Sequence, residues 1–221
     1  MSRVLVIGDL HLPAERPDYL DFCKKIKKKY KTDSVVFIGD VIDHHSISFH
    51  NKHPEEDSAV AEYHRVQKAL KNWKKAFPIA KVCIGNHDER IQRLSASVGI
   101  PSMYMKPYKE IYSTPGWEWD YTHIVEDVMY THGTGNSSSA IVPALNTAKA
   151  AMVSVVSGHI HSAAAIAWAK GPNNSKIFGF NVPCGVDESH KMMYYGKNFL
   201  RKPVNGAGVV IDGHPFMEIM D

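Results

Sequence analysis

Three short apolar runs, Val4–Ile7, Val35–Ile38 and Ile79–Ile84, each stop at a glycine, and the next residue is Asp9, Asp40 or Asn86. A fourth, Val153–Val156, stops at Ser157-Gly158 and is followed by His159. Runs of this length closed by turn residues read as buried strands. Helical periodicity fills the gaps. Pro17 to about Lys29 puts Tyr19, Leu20, Phe22, Cys23 and Ile26 on one side. Asp57 to about Phe77 does the same with Ala61, Val66, Ala69, Leu70, Trp73 and Phe77. Strand alternating with helix requires parallel βαβ units with right-handed crossovers. The polar residues after the glycines then collect at the carboxyl edge of a sheet, where α/β proteins carry out their chemistry.

Beyond a short helix over Glu89–Val98, the texture changes. Strands are expected over Trp117–Tyr121, Ile124–Tyr130, Ala163–Ala169, Lys176–Asn181, Ala207–Ile211 and Phe216–Ile219, with a helix over Ser138–Ala150. Gly171-Pro172-Asn173-Asn174 and Asp212-Gly213 read as hairpin turns. No repeat, low-complexity tract or linker interrupts the chain. The strand-end segments are split between the halves, so the halves must meet. The expectation is one α/β domain over residues 1–221, with two packed sheets and helices outside.

Composition narrows the classes. A hydrophobic content of 44% and a charged content of 22% are those of an ordinary globular protein. The formal charge of +3 permits an anionic substrate but does not suggest a chain that coats nucleic acid. Cys23, Cys83 and Cys184 are odd in number and lack CxxC spacing, which points to a reducing, cytoplasmic setting. No apolar stretch approaches the ~20 residues of a membrane span. Met1-Ser2-Arg3 leads straight into a strand, without the apolar core of a signal peptide.

The strand ends carry ligand side chains: Gly8-Asp9-Leu10-His11, Gly39-Asp40-Val41-Ile42-Asp43, Gly85-Asn86-His87-Asp88, Thr131-His132-Gly133 and Gly158-His159-Ile160-His161. Taken singly, a Gly-Asp after a strand is common and a lone histidine is ordinary. Together they supply carboxylates, an amide oxygen and imidazoles to one edge. Asp9 and His11, two residues apart, can point the same way in an extended loop and share a cation. Asp40 is placed to bridge, because a carboxylate has two oxygens. Mixed N/O donors without thiolate suit Mn, Fe, Zn, Co or Ni rather than Ca or a structural zinc.

The order Gly-Asp-x-His, Gly-Asp-x-x-Asp, Gly-Asn-His-Asp, His-Gly, Gly-His-x-His resembles the calcineurin-like metallophosphoesterase superfamily, over Asp9 to His161. The resemblance implies a four-layer αββα sandwich of two mixed sheets, holding two divalent metals with manganese foremost. It implies Asp9, His11, Asp40 and His161 at one metal, and Asp40, Asn86, His132 and His159 at the other. His87 becomes the acid near the leaving group and Asp43 the residue that orients ligands. The implied reaction is phosphodiester, or phosphomonoester, hydrolysis by hydroxide between the metals.

Departures refine this. Protein phosphatases of the superfamily have Arg where this chain has His44, and Glu where it has Asp88. Its repair nucleases carry a large extra DNA-binding region. Small bacterial and phage-type phosphodiesterases fit the length better, with a nucleotide or nucleic acid as substrate. A nuclease on short or single strands is the alternative, and a non-catalytic scaffold such as the retromer subunit a further one. Asn86, His87 and His44 are the expected substrate contacts, with His45, His50 and His53 in the same loop. Gly133–Ser139 could face an anion with its amides. Lys24, Lys25, Lys27, Lys28, Lys29 and Lys31 form a basic helix face, and Tyr194, Tyr195, Phe199 and Arg201 a late loop that could stack on a base.

Overall fold

The structure is a computed structural model that describes residues 2–49, 53–135, 142–172 and 174–221. β1 (Arg3–Ile7), β2 (Ser34–Phe37), β3 (Ala80–Cys83) and β4 (Trp117–Asp120) pair in parallel, in that order. They are linked by α1 (Tyr19–Tyr30) and α2 (Ala59–Ala76), and then by α3 (Arg90–Ser97) and α4 (Tyr108–Ile111). β10 (Gly206–Ile211) pairs antiparallel with β1, and β11 (His214–Ile219) pairs antiparallel with β10, completing a six-stranded sheet in the order β11-β10-β1-β2-β3-β4. The second sheet runs β5-β6-β7-β9-β8: β5 (Thr122–Val125), β6 (Val128–Thr131), β7 (Ser154–Ser157), β9 (Lys176–Asn181) and β8 (Ala165–Lys170). Both sheets are mixed, and α5 (Pro143–Ala151) packs on the second.

Strand alternation creates the layers. Successive residues of β1 face opposite ways. Leu5 and Ile7 join Tyr19, Cys23, Ile26, Val66, Leu70 and Trp73 in a core under α1 and α2. Val4 and Val6 face the other way, into a core with Val128, Tyr130, Val156, Phe178 and Phe180 of the second sheet. Ala144 and Ala148 of α5 close the outer side of that sheet against Val155. The result is the expected αββα sandwich. Ser58 caps α2, its Oγ accepting from the Ala61 N–H at 3.3 Å, which sets the start of the helix at the predicted Asp57 region.

Some expectations change. The single strand over Ile124–Tyr130 is a hairpin, β5 and β6, turning at Glu126 (φ 45°) and Asp127 (φ 62°). Two left-handed residues in succession make the turn favoured between twisted strands, but it lacks the glycine that marks such turns in a sequence. At Asp212 (φ 47°) and Gly213 (φ 76°) the same geometry carries its usual residues and matches its prediction. The helix expected from Ser138 is described only from Pro143, and the Gly133–Ser139 loop, His50 and Asn173 fall wholly or partly outside the described residues. Among the described residues, no helix is long and apolar enough to cross a membrane. Cys23, Cys83 and Cys184 are free, buried thiols.

Glu15 offers a test of packing near the start of α1. Burial raises its carboxyl to about 7, and Trp73 offsets only part of this. Between its unfolded value of 4.5 and about 7 the folded state keeps a proton the unfolded state has lost. Stability from this group therefore falls as pH rises through that window. Glu15→Gln should raise stability by roughly 1–2 kcal/mol at pH 8 and change it little at pH 4.5. Denaturant melts at the two pH values check this, and an equal effect at both would contradict it.

Candidate metal centre

The loops leaving β1, β2, β3, β6 and β7 converge at one edge of the sandwich. Asp40 is their meeting point. Its carbonyl accepts from the N–H groups of Leu10 (3.1 Å) and His11 (2.9 Å), tying the first loop to the second. Its Oδ1 accepts from the His87 N–H at 2.8 Å, tying in the third. Its Oδ2 lies 3.1 Å from His132 Nε2 and 3.6 Å from His11 Nε2. Asp9 Oδ2 accepts from the His159 N–H and approaches His161 Nε2, both at 3.0 Å. Asn86 Oδ1 is 3.1 Å from His132 Nε2.

The glycines before these residues are explained by space. A Cβ on Gly85 would sit 2.1 Å from Asp40 Oδ1, and one on Gly158 would sit 2.2 Å from Asp9 Oδ1. Gly39 would place it 2.5 Å from His132 Nδ1. Each glycine thus makes room for a side chain of the cluster from another loop. His11 (φ 50°), Asp40 (φ 47°) and His159 (φ 70°) hold left-handed backbone, strained for residues with a Cβ.

Two imidazoles are oriented from behind. His11 Nδ1 lies 3.2 Å from Asp43 Oδ1, and His132 Nδ1 lies 3.1 Å from the Ile38 carbonyl. A proton on each Nδ1 leaves the Nε2 lone pairs facing inward. His11 Nε2 meets His161 Nε2 at 3.2 Å. Among the described residues, no hydrogen-bond donor reaches the buried Asp9 Oδ1. Three sets, Asp9–His11–His161, Asp40–His132–His159 and His11–Asp40–His87, each bring their ligand atoms within 4.8 Å of one another. Inward lone pairs and an orphaned carboxylate oxygen fit a cation better than hydrogen bonding.

The electrostatics agree. Burial works against ionising Asp9 and Asp40, but facing imidazoles, His132 first, bring both carboxyls below the usual range. Burial also works against charging His132, yet Asp40 and Asp9 raise it to about 10. Burial and the His132 charge lower His159. The buried acids draw positive charge to the cluster, as a second proton on His132 or as a cation that would replace it and use the Nε2 lone pair. Asp88 differs: burial and the Asp40 charge raise it to about 7. It accepts from the N–H groups of Ile42 (2.9 Å) and Gly85 (3.0 Å), bracing two loops from behind.

His87 sits at the mouth with its Nδ1 on the Asp43 carboxylate and 3.1 Å from the Asp43 carbonyl. Arg90, not singled out from the sequence, lies against this ring, with Nη2 3.0 Å from Nδ1. Its Nη1 donates to the carbonyls of Asp43 (2.9 Å) and His44 (2.8 Å). The sequence signal was its place on the first turn of the helix after Gly-Asn-His-Asp. Glu62 was missed too; a carboxylate in a helix's first turn looks solvated, yet it is buried and takes the N–H groups of His45 and Ser46.

The other histidines of that loop turn elsewhere. His44 Nε2 is 2.6 Å from the Tyr112 hydroxyl, beside an apolar cavity of about 320 Å³, and burial lowers it to about 4. His45 Nε2 is 2.9 Å from Glu56, and His53 packs on Tyr194 with ring centres 5.0 Å apart. The basic face of α1 runs away from the centre. Lys29 pairs with Glu218 at 2.6 Å, Lys24 with Asp21 at 2.6 Å, and Lys27 lies over Phe77. The carbonyl of Tyr30 accepts from Arg3, at the β1 end opposite Gly8.

The fold and cluster define a class: an αββα protein with a buried His/Asp/Asn cluster at its strand ends, several groups of which could hold a metal ion. The chain belongs to the calcineurin-like phosphoesterase family, whose pattern it matches over residues 2–214. That family is metal-dependent and hydrolyses phosphoesters. Among curated proteins none matches the chain. Similar solved structures include Vacuolar Protein Sorting 29 from Cryptosporidium parvum, with 13% identity, a TM-score of 0.48, and 99% of this chain and 96% of that one covered. The E. coli phosphoesterase Yfce has 15% identity and a TM-score of 0.43, over 95% and 88%. The Pseudomonas putida nuclease MPE has 11% identity and a TM-score of 0.41, over 97% and 87%.

Gly85→Ala tests the packing of the centre. Its φ is ordinary, so the added methyl acts only by displacing Asp40. The variant should fold, by circular dichroism, and bind Mn²⁺ at least about tenfold more weakly, roughly 1.4 kcal/mol. Unchanged affinity in a calorimetric titration would show that Asp40 is not held where binding needs it.

Proposed function

We propose that this chain is a two-metal phosphodiesterase, built as one domain over residues 1–221. The observation that supports the reading is the position of Asp40 Oδ2, 3.1 Å from His132 Nε2 and 3.6 Å from His11 Nε2, between the groups Asp40–His132–His159 and Asp9–His11–His161. Asp9, His11, Asp40 and His161 hold one cation; Asp40, Asn86, His132 and His159 hold the other. Manganese suits these N and O donors best, with iron, zinc, cobalt and nickel as substitutes. When bound, the pair supplies a water acidic enough to attack at neutral pH and positive charge for the phosphoryl oxygens.

The chain's own residues do the rest. Asp43 and the Ile38 carbonyl fix the tautomers of His11 and His132, so their Nε2 atoms stay available. Asp43 also takes the Nδ1 of His87, which leaves the far nitrogen to deliver a proton to the departing alkoxide. Arg90 keeps that ring upright and is occupied by two carbonyls, so it is not a free grip for a dianion. Asn86 and His87 face the phosphoryl group, while the His44 ring is turned onto Tyr112. A groove at His159 and His161 leaves room for a second ester substituent, which favours a diester over a monoester. A nuclease acting on long strands draws no support from α1, whose lysines lead away from the centre.

Turnover of bis-p-nitrophenyl phosphate with Mn²⁺ should exceed that of p-nitrophenyl phosphate. No turnover of either with any divalent metal would overturn the reading and leave a scaffold of the same fold.

Two variants separate the roles. His87→Ala should retain both metals and lose roughly 10²–10⁴-fold in kcat on alkyl leaving groups, far less on p-nitrophenolate. Equal losses on both would remove the acid role. Asp40→Asn should hold at most one equivalent of metal by elemental analysis; two equivalents would refute the bridge.

A further inference from the structure

A groove of about 710 Å³ opens from His159 and His161 and runs along the segment that follows β9. That volume is within the range of small-molecule sites and well above what a bare phosphoryl group needs. Its floor is apolar: Val186 is 1% exposed and Met193 8%. Leu200 stands fully exposed at the rim. Asn198 and Ser162 add neutral polar groups.

The two cations that line the groove are unequal. Lys202 is paired with Glu188 at 3.5 Å. Arg201 makes no salt bridge among the described residues, although it lines the same groove. The wall is braced. The Met193 N–H donates to the His190 carbonyl at 2.8 Å, and the Phe199 N–H to the Gly196 carbonyl at 2.9 Å. Lys191 reaches the Glu55 carbonyl at 2.8 Å and Asp57 at 3.2 Å.

A groove that joins His159 and His161 to apolar Val186 and Met193, and to a guanidinium with no salt bridge among the described residues, matches a flat apolar group and a second anion. We infer that the groove seats the nucleoside substituent of a nucleotide diester, its base over Val186 and Met193. Arg201 meets the next phosphate along the chain. The substrate class is therefore a dinucleotide or a short oligonucleotide end, not an alkyl diester or a phosphopeptide. This inference rests on the phosphodiesterase reading above and adds the specificity that reading leaves open. Arg suits the second anion because its planar fork can hold two phosphate oxygens at once.

The test uses the Mn²⁺-loaded full chain and a 5′-phosphorylated thymidine dinucleotide with a phosphorothioate link, titrated by calorimetry. The wild type should bind it, and Arg201→Ala should bind about tenfold more weakly. Met193→Asp, which puts a carboxylate on the floor, should weaken it by a similar factor. If Met193→Asp fails to fold, the exposed Arg201 decides alone. Hydrolysis gives a second readout: Arg201→Ala should lower the ratio of kcat/KM for the oxygen-linked dinucleotide over bis-p-nitrophenyl phosphate about tenfold. An unchanged ratio with unchanged affinity, or no binding by the wild type, would overturn the groove assignment. Binding that depends on Arg201 without turnover of either diester would support the groove and sink the phosphodiesterase reading.

Discussion

The buried carboxylate of Asp40 couples four loops from two sheets. Through its carbonyl it carries the loop of Asp9 and His11; through Oδ1, that of Asn86 and His87; through Oδ2, His132. An ionised group that is 1% exposed survives only when surrounding charge offsets its lost hydration. Here the compensation is a ring of imidazoles. A cation could supply the same compensation in place of the imidazole protons.

The second sheet contributes His132, His159 and His161, and it reaches them through ordinary packing. Val4, Val6, Val36 and Ile38 face Tyr130, Val156, Phe178 and Phe180 across the shared core. Burying that interface, at about 25 cal/mol per Å² of apolar surface, brings the two strand edges into register. The centre is thus built by apolar contact elsewhere and then tightened by polar contact at the edge. The glycines are the clearance this tightening requires, since a methyl at Gly39, Gly85 or Gly158 would overlap His132, Asp40 or Asp9 of a neighbouring loop.

Much of the fold was legible in advance because its strands are short, apolar and closed by glycine. α1 and α2 were legible because their inner residues recur at helical spacing. The β5–β6 turn was not, because Glu126 and Asp127 adopt left-handed backbone without a glycine to announce it. Arg90 and Glu62 were not, because a charged residue on a helix's first turn looks solvated until the packing of a loop above it is known. His44, His45 and His53 read as a cluster of equals; in space each turns to a different partner, Tyr112, Glu56 and Tyr194. A loop's side-chain directions are decided by contacts far away in the chain.

What the sequence determined by itself was the inventory of donors and the strand end on which each stands, since both follow from residue type and local periodicity. It determined the layering of two packed sheets with outer helices nearly as well, because an unbroken apolar run at β1 demands apolar partners on both faces. The tertiary structure alone decided which nitrogen of each imidazole turns inward, which histidines leave the site, and where the groove with Arg201 opens. Those outcomes depend on distances between residues as far apart as His11 and His161. Local sequence cannot specify such distances, because they are set by how two sheets pack.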